Sequence, residues 1–167
     1  MKIRTRLVAV AVAALALTSG VATVQVAQAA ADPAVVETKA LSAEAALKIA
    51  DAVRKEAAKQ KQRVTVAIVD RSGATRLILK GDGAGPQTEE SARRKAFTAV
   101  SFGQATSALS KNQALAAIPG TLLLAGGIPV AVDGAPIAGI GVGGAPSGDI
   151  DEAIAQAGLK AVQGELG

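Results

Sequence analysis

From Ser42 onward the chain switches between two spacings of apolar residues, three-to-four for helices and continuous or alternating for strands. Leu47, Ala50, Val53 and Ala57 predict a helix that buries this stripe and exposes Lys48, Lys55 and Lys59. Ser42 precedes it as an N-cap, and Glu44 lies in the first turn, where negative charge complements the helix dipole. Val64 to Val69 is a β-branched run that reads as a buried strand, and Asp70-Arg71-Ser72-Gly73 turns it back into a second strand, Thr75 to Lys80. Beyond a loop rich in glycine, Gly81 to Gly85, Thr88 is expected to cap a second helix from about Glu89 to Gln104. Ala92, Ala96, Phe97 and Val100 form its inner side, and Glu89 with Arg93 and Glu90 with Arg94 are spaced for acid-first pairs four apart. A short helical turn opens at Thr106 or Ser107, Ile118-Pro119-Gly120 ends that region, and Thr121 leads into Leu122 to Leu124 as a strand entry.

The last third carries the strongest signals. Asp133-Gly134 separates the apolar runs Ile128 to Val132 and Ile137 to Val142, and both residues tolerate the positive φ of a two-residue hairpin turn. Ala145 to Gly148 stops the second run, after which Asp149 is expected to cap a helix that carries Ile154, Leu159 and Val162 inward. Hairpins rather than crossovers join the strands. The fold class is therefore α+β: one domain, residues 41–167, with an antiparallel sheet flanked by helices.

Upstream, Lys2, Arg4 and Arg6 precede an apolar run from Leu7 to Leu17, and Ala27-Gln28-Ala29 supplies a small-x-small cleavage site. Residues 1–29 read as a signal peptide and 30–40 as a flexible leader, so the protein is expected to be secreted. Thr18-Ser19-Gly20 interrupts the apolar run short of the roughly 20 residues of a membrane span, so no stable membrane anchor is expected. Removing residues 1–29 lowers the net charge from +4 to +1, because they hold three of the 18 basic residues and none of the 14 acidic ones. With two phenylalanines and no tryptophan or tyrosine, the chain lacks the basic face and stacking platforms of a nucleic-acid binder. The alanine-rich core buries little area per residue, and subunit contacts are expected to complete it.

The chemistry is bounded by what is missing. There is no histidine, cysteine, tyrosine or tryptophan, and the one methionine is Met1. A Ser-His-Asp or Cys-His nucleophile is excluded, and so is a zinc site of the usual imidazole and thiolate kind. Gly139 to Gly144 satisfies G-x-G-x-x-G, but it lies in a hairpin strand with no helix opening from its third glycine, so close packing explains it better than a dinucleotide. Glu89 at one helix start, and Asp149, Asp151 and Glu152 at another, could hold a hard cation; ordinary dipole complementation accounts for the same acids.

Two stretches resemble a known family. Residues 126–159, GGIPVAVDGAPIAGIGVGGAPSGDIDEAIAQAGL, are similar to the closing segment of the GlcG/HbpS family, and Val66 to Asp70 with Glu90 to Phe97 resemble its middle. The resemblance spans roughly residues 41–160, one whole domain. It implies a profilin-like topology, haem binding, a homo-oligomer such as an octamer, a membrane sensor kinase as docking partner, and iron at surface carboxylates. It also leaves an enzyme open, either haem-degrading or acting on a small molecule. Haem here must do without its standard protein ligands. The family precedent is a threonine hydroxyl, for which Thr121 is the first candidate and Thr106 the second. Arg93, Arg94 and Lys95 are candidates to neutralise the propionates, with Phe102 and neighbouring leucines against the macrocycle.

Overall fold

The computed structural model describes residues 34–167. The expected signal peptide and the start of the leader lie outside the described residues. No described helix is long and apolar enough to cross a membrane. Glu37–Gly167 form one folded unit. Four antiparallel strands, β1 (Thr65–Asp70), β2 (Thr75–Lys80), β3 (Gly127–Val132) and β4 (Ala135–Gly143), make a sheet in the order β2-β1-β4-β3. The helices are α1 (Ala43–Lys59), α2 (Thr88–Phe102), α3 (Thr106–Leu109) and α4 (Gly148–Val162).

Strand periodicity distributes the helices over the two faces of the sheet. Val66 and Ile68 of β1, Ile128 and Val130 of β3, and Ala138, Ile140 and Val142 of β4 join Ile49, Val53, Ile154 and Val162 in one core with α1 and α4. The alternate positions face α2, where Val69 packs with Ala96 and Val100. On that face β4 offers only Gly139, Gly141 and Gly143. A Cβ at Gly139 would lie 2.1 Å from the Ala96 carbonyl oxygen, and one at Gly141 would lie 2.0 Å from that of Ala92. The glycine pattern therefore serves the close approach of a helix to a strand.

Asp133 and Gly134 make the β3–β4 turn with φ of 52° and 78°, as expected. In the β1–β2 turn the Asp70 carboxylate accepts from the Ser72 hydroxyl at 2.6 Å and from the Ser72 and Ala74 N–H groups, and these bonds, the hydroxyl's foremost, hold its pKa below the ordinary range.

Several local expectations are corrected. Ala50, Val53 and Ala57 of α1 are buried as expected, but Leu47 is 58% exposed and Ala46 and Ile49 complete the stripe in its place. Ser147, not Asp149, caps α4, its hydroxyl accepting from the Ile150 N–H. Thr88 is the first residue of α2 rather than its cap, and its buried hydroxyl binds the Gly85 carbonyl and Thr65. Glu90 pairs with Arg93, three residues on, rather than with Arg94. Leu122 to Leu124 form no strand, because the Leu122 N–H donates to Thr98 Oγ1 of α2 at 2.8 Å instead of joining the sheet.

Candidate functional site

Arg93, Arg94 and Lys95 are consecutive on α2, so the helix turns each about 100° from the last and they meet three different environments. Arg93 points toward solvent and grips Glu90 with both prongs of its guanidinium, at 2.7 and 3.0 Å, holding that carboxyl below its ordinary pKa. Arg94 is half-buried and donates to the Thr121 carbonyl. Lys95 is 3% exposed and turns inward.

The Arg94 side opens onto a cleft of about 320 Å³, lined by Arg94, Ser110, Gln113, Ala116 and Thr121 to Leu124. The turn that shapes it depends on Gly120, whose φ of +87° brings the chain over Phe97; a Cβ there would lie 3.3 Å from the ring. Thr121 is 2% exposed at the cleft wall, and its hydroxyl shares its proton between the Leu115 and Ile118 carbonyls, at 2.8 and 2.9 Å. Its lone pairs are free to accept or to ligate. Leu122 is half-buried and Leu123 buried, while Leu124 is 62% and Ile118 44% exposed, an apolar shelf beside a guanidinium.

The other candidates lie elsewhere. Thr106 is fully buried, does not line the cleft, and its hydroxyl accepts from the Gly127 N–H at 2.9 Å, anchoring the start of β3. Phe102, half-buried at the end of α2, does not line the cleft. Phe97, one turn from Arg94 on the same helix, is the aromatic ring under the turn, and its i+3 spacing from Arg94 is the signal that could have identified it.

Lys95 is withdrawn from any propionate. Its ammonium donates to Asp151 Oδ2 at 2.7 Å and to the Val142 carbonyl at 2.9 Å, while Asp151 Oδ1 accepts from the Ala145 N–H at 3.0 Å. The pair passes beyond the start of β3 and ties α2, on one face of the sheet, to α4 on the other. Glu152 is also engaged, accepting from Ser107 Oγ at 2.6 Å and from the Gly126 N–H at 3.2 Å. Asp149 and Glu89 are exposed. Among the described residues no three acidic groups converge as a cation site, because Asp151 and Glu152 are spent on internal partners.

Comparison with known proteins agrees with this architecture. HbpS, by its crystal structure, shares 54% identity over 80% of this chain and 98% of its own, with a TM-score of 0.76. A double mutant of HbpS from Streptomyces reticuli shares 53% over 80% and 94%, with a TM-score of 0.75. A PduOC:haem complex is 28% identical over 74% and 95%, with a TM-score of 0.67. Protein ORFY of Klebsiella pneumoniae, 24% identical with a TM-score of 0.75 over 80% and 98%, shares the fold. No curated protein sequence gives a significant match. The family model described as "Haem degrading protein HbpS-like" matches residues 41–160, and the chain belongs to that HbpS-like family.

Proposed function

We propose that the protein binds haem in the cleft between Arg94 and the Thr121–Leu124 segment, with an oxygen ligand on the iron. The observation that carries this reading is one cleft joining a guanidinium, a threonine hydroxyl with free lone pairs and an exposed leucine shelf. A structural relative with the same fold, PduOC, has been crystallised with haem. The residues fit such a group. Arg94 has five N–H donors and spends only one on the Thr121 carbonyl, leaving a fork for a propionate. Leu122 and Leu124 offer the apolar surface a macrocycle seeks. When bound, haem supplies a redox-active iron; the chain itself orients it and shields one face. With no imidazole, thiolate, thioether or phenolate available outside Met1, the ligand field is weak and the iron stays high-spin.

Titration of ferric haem is expected to give a saturable high-spin absorption change. Thr121→Ala should alter that spectrum and weaken binding, while Arg94→Ala should weaken it about tenfold, the loss of one charge-assisted contact, and leave the spectrum as in wild type. Absence of a saturable change, or wild-type behaviour in both variants, would sink the assignment. The family's description favours a second reading, haem breakdown. Incubating the complex with ascorbate in air separates the two: a stable haem band means binding alone, and its decay with release of chelatable iron means degradation.

We further propose that the protein acts outside the cell as a homo-oligomer in haem or iron sensing, storage or scavenging, docking on the outer domain of a membrane sensor kinase. The tripartite N-terminus supports export. Edge strand β2 keeps one backbone edge unpaired beside exposed Ile78, near Leu47 of α1, and this supports self-association. Intact-mass analysis of protein from the medium is expected to give a chain starting near Ala30, and light scattering a multiple of its mass. Full-length chain in the membrane fraction, or a monomer at micromolar concentration, would refute the corresponding part. Kinase docking fails if the oligomer does not retain that outer domain in a pull-down.

A further inference from the structure

On the sheet face opposite α2, a second cavity of about 310 Å³ opens between the C-terminal half of α1 and the strands β1 and β2. Its floor is apolar and well buried: Val53, Ala57, Val64 and Val66 are each 5% exposed or less. Its rim is charged, with Arg54, Arg63, Lys80 and Asp82. Arg54 is already paired with Asp51 at 2.8 Å, whereas Arg63 and Lys80 form no ion pair among the described residues.

The glycine-rich loop that follows β2 builds this rim. The Gly81 N–H bonds the Val64 carbonyl at 3.0 Å, and a Cβ at Gly81 would lie 2.6 Å from that oxygen, so the loop is drawn against the start of β1. At Gly83, with φ of +75°, a Cβ would lie 3.1 Å from Arg63 Cδ; the missing side chain leaves room for the arginine to lie along the loop. The glycine-rich loop thus serves to position a guanidinium at the mouth of an apolar cavity.

An apolar floor with a few convergent polar groups at its mouth is the usual make-up of a small-molecule site, and about 310 Å³ is within the range of such sites. The charge balance selects the ligand. With Arg54 neutralised, Arg63 and Lys80 against Asp82 leave a single positive charge, which suits a monoanion better than a phosphate dianion. Guanidinium also matches a carboxylate through paired N–H donors. We propose that this cavity binds an amphiphilic monocarboxylate, its aliphatic part against Val53, Val64 and Val66 and its carboxylate between Arg63 and Lys80. The site is separate from the Thr121 cleft and does not depend on haem binding.

Octanoate is the probe, with 1-octanol as its neutral counterpart, titrated into the whole protein by calorimetry. Saturable binding of one octanoate per chain is expected, weakened by salt and by about tenfold in Arg63→Ala and in Lys80→Ala. Octanol should bind at least about tenfold more weakly, since it forfeits the charged contact. Ala58→Trp, at an exposed α1 position lining the cavity, should abolish binding with no change in melting temperature. Thr121→Ala should bind octanoate like wild type, whatever it does to haem. The proposal is overturned if octanoate does not saturate, if octanol binds equally well, if both charge variants bind like wild type, or if Thr121→Ala weakens octanoate.

Discussion

Replacing Gly141 by alanine is expected to lower the melting temperature by roughly 15 °C, or to leave no folded protein to melt. Gly141 stands in the middle of the sheet, opposite Ala67 of β1 and Gly127 of β3, so the three strands present their smallest side chains in one row. Helix α2 lies directly on that row. An added Cβ would stand 2.0 Å from the Ala92 carbonyl oxygen and 2.6 Å from the Ala96 nitrogen. Both are backbone atoms of a helix, so no side-chain rotation relieves the clash, and the helix must lift away from the sheet. Ordinary overpacking costs about 1–3 kcal/mol, and a clash with main chain sits at or above that ceiling, about 4 kcal/mol. Against a total stability of roughly 5–15 kcal/mol that is a large share. Gly134→Ala is the internal control. Its φ of 78° makes alanine unfavourable by about 1–2 kcal/mol, but nothing lies within 4 Å of the new methyl group. Thermal melts of the two variants decide the matter: equal losses would mean that α2 does not rest on β4 as described.

How much of this was legible in the sequence depended on whether the signal was local. The Asp133-Gly134 turn, the Ser42 cap and the β-branched run of β1 are properties of a few adjacent residues, and each stands where it was expected. That the glycines of β4 meant close packing was also readable; that α2 was the partner required the register of β4 and the phase of α2 together. Leu122 to Leu124 misled because an apolar triplet after Pro119-Gly120 looks like a strand until Thr98 and Arg94 capture its backbone from α2. Asp149 misled for a smaller reason, since two residues within reach of the helix start could cap it and Ser147 does so. The site was half-visible. Arg94 and Thr121 meet in one cleft, whereas Asp151, read as a candidate cation ligand, and Lys95, read as a candidate propionate partner, neutralise each other inside. A signal for Lys95 did exist: it lies three residues after Ala92 and four before Ala99, on the buried stripe of α2.

Removing the Lys95 ammonium alone, as in Lys95→Met, is expected to cost about 3–5 kcal/mol, because it strands a buried carboxylate and leaves the Val142 carbonyl without its donor. Methionine keeps most of the aliphatic volume, so a cavity contributes little. Asp151 has another reason to stay put: its Oδ1 accepts from the Ala145 N–H and so fixes the loop ahead of α4. Asparagine at 151 can keep that bond without carrying a charge. The double variant Lys95→Met with Asp151→Asn is therefore expected to regain about 2 kcal/mol over Lys95→Met alone, so that its loss falls well short of the sum of the two single losses. The remaining deficit would be the unpaired Val142 carbonyl, about 1–3 kcal/mol for a buried acceptor. Denaturant melts of the four proteins in the cycle give the coupling directly. Additive losses would mean that the two side chains do not interact beyond the start of β3, and the tie between the helices on opposite faces of the sheet would have to be sought in the Thr106 and Glu152 contacts instead.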